Sequence, residues 1–289
     1  MKTSIIIATH ARPASVARLV ESLAPQIRPG EDELIIAENG VAEPSTINEA
    51  PVELDHLYDP RPGKCRIQNR AIQRAEGEII VCLDDDLVVA PDYVVEVERF
   101  FDKHPEFAAM KGRTLPIEDP VKKVGPAAVY LDLPIVDHGE NVVEVHGVLG
   151  ANMAFRKSAL DKVGLFDEHL GPGAAGHEEE TEMSQRLRRA GYKIGYAPRA
   201  LVHHEVDPAR ADRERFIRIA RERGFCRTLH ERHSRRKVAL DLATAQIRLF
   251  IARAAHVSLS RIAREEKRLA IAQGMRDGLL ANRDARVKP

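Results

Sequence analysis

Short apolar runs recur along the first two thirds of the chain, and each stops at polar residues suited to chemistry. Ser4 to Ala8 reads as a buried strand ending at Thr9-His10-Ala11-Arg12-Pro13. Pro13 can open a helix whose apolar positions Val16, Leu19, Val20 and Leu23 share one face. Glu33 to Ala37 is a second strand, which delivers Glu38-Asn39-Gly40. Strand, helix and strand at this spacing predict a βαβ unit and a parallel sheet. The most informative run is Glu78 to Leu83, bounded by Gly77 and followed by Asp84, Asp85 and Asp86. It predicts a buried strand with three carboxylates at its carboxyl end, where open α/β sheets bind ligands.

The rest of the chain is read in the same way. Residues 41–62 hold four prolines and predict a loop, with one short strand near Leu54 to Tyr58. A helix follows Gly63, with Ile67, Ala71 and Ala75 on its apolar side and Lys64, Arg66, Asn69 and Arg70 on or near its other faces. Cations at a helix start suit a diphosphate, although a solvated helix face is the plainer reading. Pro91 and Asp92 predict another helix start, with Val94, Val95, Phe100 and Phe101 as its buried side, and residues 105–141 read as irregular. Val142 to Val148 predicts a strand leading to Gly150-Ala151-Asn152, which is either a close approach to ligand or a simple turn. After a loop from Gly171 to Gly176, His177-Glu178-Glu179-Glu180-Thr181-Glu182 opens a helix that stops at Gly191. Carboxylates at a helix start are favourable in themselves by ~0.3–1 kcal/mol each, so their presence alone does not prove a site. Tyr192 to Ala197 and Ala200 to His204 read as two more strands, the second ending in two imidazoles.

Charge changes the picture at two places. The formal net charge is zero, yet residues 205–289 hold 21 Lys/Arg against 11 Asp/Glu, leaving the front of the chain acidic and the tail basic. Tail stripes such as Phe216, Ile219 and Ala220, then Leu240, Ala243, Ile247, Phe250, Ala254 and Val257, either pack within the protein or form a basic amphipathic surface for an anionic membrane. The aspartate triplet is the other place. Three adjacent like charges need full solvation, as in an acidic turn, or a neutralising cation, for which Mg²⁺ or Mn²⁺ suits carboxylate oxygens. Cys65, Cys82 and Cys226 are odd in number and widely spaced, which indicates neither a disulfide framework nor a zinc site and fits a cytoplasmic compartment. The start of the chain lacks a signal-peptide pattern, and no apolar run approaches the ~20 residues of a membrane span. The expected location is cytoplasmic, with contact at the inner face of the plasma membrane if the tail docks there.

In order, the chain reads SIIIATHARP, AEN, GKCRIQNRAI, LDDDL, GANMAFRKSALDKVGLFDE, EEETEMSQRLRRAGYKIGYAP and ALVHH. This resembles glycosyltransferase family 2, an inverting family with the GT-A fold, over about residues 2–208. The resemblance implies an α/β fold with a Rossmann-like, mostly parallel sheet flanked by helices, spanning 1–208, with residues 209–289 as a basic helical C-terminal extension. It also implies roles. Thr9 and Arg12 match a nucleotide contact, Glu38 the residue that reads the base, and Lys64, Arg66 and Asn69 the helix near ribose and diphosphate. Asp84 and Asp86 match the Asp-x-Asp motif that holds ribose and the divalent metal, Asp85 sits between them, and His204 matches a histidine completing the metal site. Gly150, Ala151 and Asn152 match the acceptor side. The family's Glu-Asp pair falls on Glu179 and Glu180, making Glu180 the expected base and Glu179 the base if the register differs by one. The chain departs from the family's processive synthases, because it has no Trp and hence no Gln-x-x-Arg-Trp motif.

The expected reaction is inverting, metal-dependent transfer of one sugar from a nucleotide-sugar to a hydroxyl of a glycan or lipid-linked acceptor, in bacterial cell-surface polysaccharide or glycoconjugate synthesis. Glu38 can accept from a pyrimidine ring N–H, which favours UDP or dTDP donors over GDP. One alternative is a sugar-nucleotide pyrophosphorylase, but the Gly-rich basic loop expected after its first strand is replaced by Thr9-His10-Ala11-Arg12-Pro13. The other is a non-catalytic sugar-nucleotide-binding protein, against which the paired metal-site and base carboxylates argue. No nucleic-acid partner is expected, since the basic tail lacks interleaved aromatics.

Overall fold

A computed structural model describes residues 1–45 and 52–287, with side chains described to residue 281. Part of the proline-rich 41–62 loop, residues 46–51, lies outside the described residues, as do 288–289 at the end of the tail. In chain order the elements are β1 (Thr3–Thr9), α1 (Pro13–Leu23), β2 (Glu33–Asn39), β3 (Asp55–Asp59), α2 (Lys64–Arg74), β4 (Ile79–Asp84), β5 (Leu87–Val89), α3 (Tyr93–Lys103) and β6 (Phe107–Pro116). They continue with α4 (Pro120–Val124), β7 (Val143–Val145), β8 (Asn152–Arg156), α5 (Lys157–Val163), α6 (Glu179–Arg189), β9 (Lys193–His204), α7 (Arg213–His230), α8 (Arg235–Ala254) and α9 (Leu259–Val287).

The chain divides into two compact units. The first comprises 1–117, 134–174 and 179–205, and contains one sheet in the order β3-β2-β1-β4-β8-β6-β9-β5, with β7 beside β9. Strands β3, β2, β1 and β4 are mutually parallel. β8 enters antiparallel to both β4 and β6, so the second half of the sheet is mixed. Both faces are covered, which explains the unbroken apolar run of β1. Ile5 and Ile7 pack with α1 and α3 residues such as Val16, Leu19, Val97 and Phe101. Ile6 points the other way, to Ile67, Ile72, Leu160 and Met183 from α2, α5 and α6.

Several sequence expectations change here. Residues 105–141 are not wholly irregular, because β6 is a ten-residue strand in the sheet. Lys111 and Arg113 are partly exposed on either side of the buried Gly112, which is required because a Cβ there would strike the Asn152 side chain. The strands expected at 192–197 and 200–204 form one strand, β9, whose register against β6 slips between Gly112 and Arg113 where Pro198 interrupts the ladder. Val95 is 50% exposed, and Tyr93 and Val97 instead join Val94, Phe100 and Phe101 on the buried side of α3. The strand expected over 142–148 shortens to β7.

The second unit comprises 118–133, 175–178 and 206–289. In it α9 packs against α7 and α8. Gly224 on α7 and Gly274 on α9 allow the helices to cross closely, since a Cβ on either would run into the other's backbone. Buried acids fix the arrangement: Glu266 takes Arg213 at 2.7 Å and Arg253 at 2.8 Å, and Asp132 takes Lys267 at 2.5 Å and Arg223 at 2.9 Å. Among the described residues no helix is long and apolar enough to cross a membrane.

Candidate functional site at the strand ends

Parallel pairing of β1 with β4 sets Ala8 opposite Asp84, so Thr9 and the aspartate triplet emerge side by side. Asp85 and Asp86 are only 5% and 7% exposed, which excludes a solvated acidic turn. The protein supplies cations instead, and each carboxylate turns to a different set of donors. Asp84 Oδ1 accepts from Lys64 Nζ at 2.6 Å. Asp85 accepts from the Thr9 hydroxyl at 2.7 Å and from Arg12 Nη1 at 2.9 Å. Arg12 Nη1 also reaches Asp86 Oδ2 at 3.2 Å, while Asp86 Oδ1 lies 3.2 Å from His204 Nε2. Burial raises the Asp85 pKa, and Thr9 and Arg12 only partly offset this.

His204 ends β9, and pairing of β9 with β5 carries it to Leu87, one residue past the triplet. Its Nδ1 lies 2.7 Å from the Glu205 carbonyl oxygen, so Nδ1–H donates there and Nε2 faces Asp86. Burial disfavours the imidazolium, but the hydrogen bond and charge of Asp86 outweigh it and raise the His204 pKa. One ring nitrogen donating to a carbonyl while the other faces outward is the orientation a metal-binding histidine uses. Among the described residues no three His, Cys, Asp or Glu side chains converge as a metal cage. Asp86 and His204 nevertheless fit a divalent ion of the kind held by one or two protein donors together with phosphate oxygens and water. Asp84, which the sequence suggested as a further ligand, turns to Lys64.

A second cluster lies beyond Lys64, the first residue of α2. Its backbone N–H donates to the Pro172 carbonyl at 2.9 Å, and the neighbouring Gly63 N–H donates to Asn39 Oδ1 at 3.0 Å. Lys64 Nζ also lies 4.0 Å from Glu179 Oε1. Gly150 packs against this group, since a Cβ there would sit 3.5 Å from Lys64 Nζ and 3.6 Å from Glu180 Oε1. Burial favours a neutral Lys64, but the charge and hydrogen bond of Asp84 prevail and its pKa rises.

The two glutamates at the start of α6 differ sharply. Glu179 is 5% exposed and packs against Gly171 and Cys65, so burial, reinforced by the charge of Glu180, pushes its pKa well above the carboxylate range. Glu180 is half-buried. Lys111 on β6 senses the charge of Glu180, although burial is the larger effect and lowers its pKa. Sequence reading missed Lys111 because it lies in the stretch read as irregular.

Four expected site residues, Asn69, Arg66, Asn152 and Glu38, are engaged elsewhere. Asn69 donates to the Phe166 carbonyl at 2.9 Å and to Glu168 at 3.2 Å, and accepts from the Phe166 N–H at 3.0 Å. Burial and these bonds make it a brace for the 166–168 segment. Arg66 likewise faces Glu168, at 3.7 Å. Asn152 is fully buried, accepting from the Tyr93 hydroxyl at 2.8 Å and donating to the Arg113 and Ala200 carbonyls at 3.1 and 3.0 Å. It ties β8 to α3, β6 and β9 and is not presented to an acceptor. Asn152→Ala should therefore cost about 3 kcal/mol in chemical denaturation, because three buried partners lose their bonds. Ala151 is buried, and its carbonyl accepts from the Asp84 N–H at 3.4 Å. Glu38, at the end of β2, is fully buried and accepts from the Ser45 N–H at 2.8 Å, the Ser45 hydroxyl and His56 Nε2 at 3.1 Å.

Residues 4–164 match the sequence profile described as Glycosyl transferase family 2. Over 218 residues the chain is 22% identical to the glucosyl-dolichyl phosphate glucuronosyltransferase of Haloferax volcanii, covering 71% of this chain and 70% of that protein. Over 145 residues it is 28% identical to the poly-beta-1,6-N-acetyl-D-glucosamine synthase of Staphylococcus epidermidis, covering 48% of this chain but only 33% of that longer protein. Among solved structures, the mannosyltransferase PcManGT of Pyrobaculum calidifontis, in complex with GDP-Man and Mn²⁺, superposes with a TM-score of 0.64 at 17% identity, over 97% of this chain and 87% of that one. With the profile matched over more than half its length and a GT-A fold around the strand-end carboxylates, the chain belongs to glycosyltransferase family 2.

Proposed function

We propose that this glycosyltransferase moves one sugar from a nucleoside-diphosphate sugar to an acceptor hydroxyl, with inversion and with a divalent cation at Asp86 and His204. The observation that carries the reading is the pair of clusters joined through Lys64: the cation-ringed triplet, with Asp85 and Asp86 buried, on one side and the Glu179–Glu180 pair on the other. Mn²⁺ or Mg²⁺ would neutralise the charge that builds on the departing nucleoside diphosphate. Arg12 and Lys64, now held on the triplet, would turn part of their hydrogen bonding to the phosphate oxygens when donor binds. Glu180 then takes the proton of the acceptor hydroxyl as that oxygen attacks the anomeric carbon from the face opposite the leaving group. Burial disfavours ionisation of Glu179, so that task falls to its neighbour.

The burial of Glu38 against Ser45 and His56 removes its preference for UDP and dTDP donors, and the GDP-Man bound to the Pyrobaculum neighbour keeps GDP donors beside them. The names of the Haloferax and Staphylococcus relatives support an acceptor drawn from lipid-linked or cell-surface glycans. The test is a donor screen with UDP-, dTDP- and GDP-sugars, with and without Mn²⁺, scored by released nucleoside diphosphate. Metal-dependent release from one nucleotide class supports the reading. Pyrophosphate release from a nucleoside triphosphate and a sugar phosphate would replace it with a pyrophosphorylase.

The raised pKa of Glu179 has a consequence for stability. A carboxyl whose folded pKa lies above its unfolded value binds the proton more tightly when folded, so its contribution is full below about pH 4.3 and is lost as pH rises through the folded pKa. Glu179→Gln removes that loss. It should melt above wild type near pH 8 and coincide with it near pH 4, as followed by circular dichroism.

A further inference from the structure

Helix α8 carries apolar residues on two opposite sides. Val238, Ala245, Leu249 and Ala252 are buried, and α9 packs against the helix. At about 100° per residue the far side collects Leu240, Ala243, Ile247, Phe250, Ile251 and Ala254. Leu240, Ile247, Phe250 and Ile251 are 67%, 60%, 73% and 57% exposed. A contiguous apolar stripe left in the open marks an interaction surface. The sequence stripe that included Leu240, Ile247 and Phe250 thus does not supply the packed face of this helix.

Charge selects the partner. On the same helical projection Arg235 and Arg253 flank one edge of the stripe, Lys237 and Arg248 flank the other, and Arg236 lies at its amino end. All five are exposed, although Arg253 also pairs with Glu266 at 2.8 Å. Asp241 is the one acid on the helix. Two copies meeting through this face would bring cationic rims together, which is unfavourable. An anionic lipid surface satisfies both features: the stripe enters the acyl boundary while arginine and lysine stems extend to the phosphates.

We propose that α8 lies flat on an anionic membrane, with Leu240, Ile247, Phe250 and Ile251 as its inserted face. The surface uses none of the strand-end residues, so it stands or falls independently of the donor chemistry. The test is flotation of the full chain on vesicles of phosphatidylcholine alone and of equal phosphatidylcholine and phosphatidylglycerol. Binding should require phosphatidylglycerol, weaken with salt, and fall at least about tenfold in Phe250→Asp, where the loss of one inserted aromatic is enough for that factor. Because Phe250 is exposed, the variant should melt as wild type does, and Ile247→Asp serves as an independent second variant. Absence of binding to phosphatidylglycerol vesicles at low salt, or undiminished binding by both variants, overturns the proposal. Concentration-dependent dimerisation abolished by Phe250→Asp would assign the face to a second copy and overturn it as well.

Discussion

Glu180→Gln should bind donor as wild type does and transfer it about 10³-fold more slowly, within the range that general-base catalysis supplies. The substitution keeps the shape of the side chain and the hydrogen bond from the Ser184 hydroxyl to the Glu180 carbonyl, at 2.6 Å, so helix α6 is undisturbed. Only the group that takes the proton is lost. Glu179→Gln should behave oppositely, because a carboxyl whose ionised form is disfavoured by burial loses little by becoming an amide. Steady-state transfer kinetics with donor affinity measured separately distinguish the two. If Glu179→Gln removes turnover and Glu180→Gln retains it, the base is Glu179.

The larger expected effect is at Asp86. Asp86→Asn is nearly isosteric but removes the charge that faces both Arg12 and His204. Transfer should fall by more than about 10³-fold, and the dependence on added Mn²⁺ should disappear, because an amide is a poor ligand for a hard cation. Asp84→Asn gives the contrast. It breaks the contact with Lys64, so transfer should weaken while the response to Mn²⁺ remains. Titrating Mn²⁺ against both variants under saturating donor reads this difference. Equal metal dependence in the two would mean that Asp84 and Asp86 share the ion.

Much of the fold was legible because local pattern and tertiary role coincide in the first half of the chain. The Ile5-Ile6-Ile7 run is apolar because helices cover both faces of β1, and the Ile79–Leu83 run is buried in the same way. β6 was not legible. Its break at Gly112 answers a partner, Asn152, that is distant in sequence, so no local signal marks it. The site divides along the same line. The triplet, His204 and the glutamate pair announce themselves as charge at the ends of apolar runs. Asn69 and Asn152 share the residue type of a ligand contact but are buried braces, a difference set by long-range bonds to Phe166 and to Tyr93, Arg113 and Ala200. Three like charges in a row also led to expectations of water or metal. The structure adds a third answer, since Lys64, Arg12 and His204 neutralise them from three separate elements.

The most direct test of the central claim is the melting temperature of wild type and Asp86→Asn with UDP-, dTDP- and GDP-sugars, each with and without Mn²⁺. One nucleotide class should raise the melting temperature of wild type only when Mn²⁺ is present, and Asp86→Asn should show no such rise. If no nucleotide-sugar shifts wild type under any metal condition, the strand-end cluster is an internal ion network and the account of donor binding is wrong.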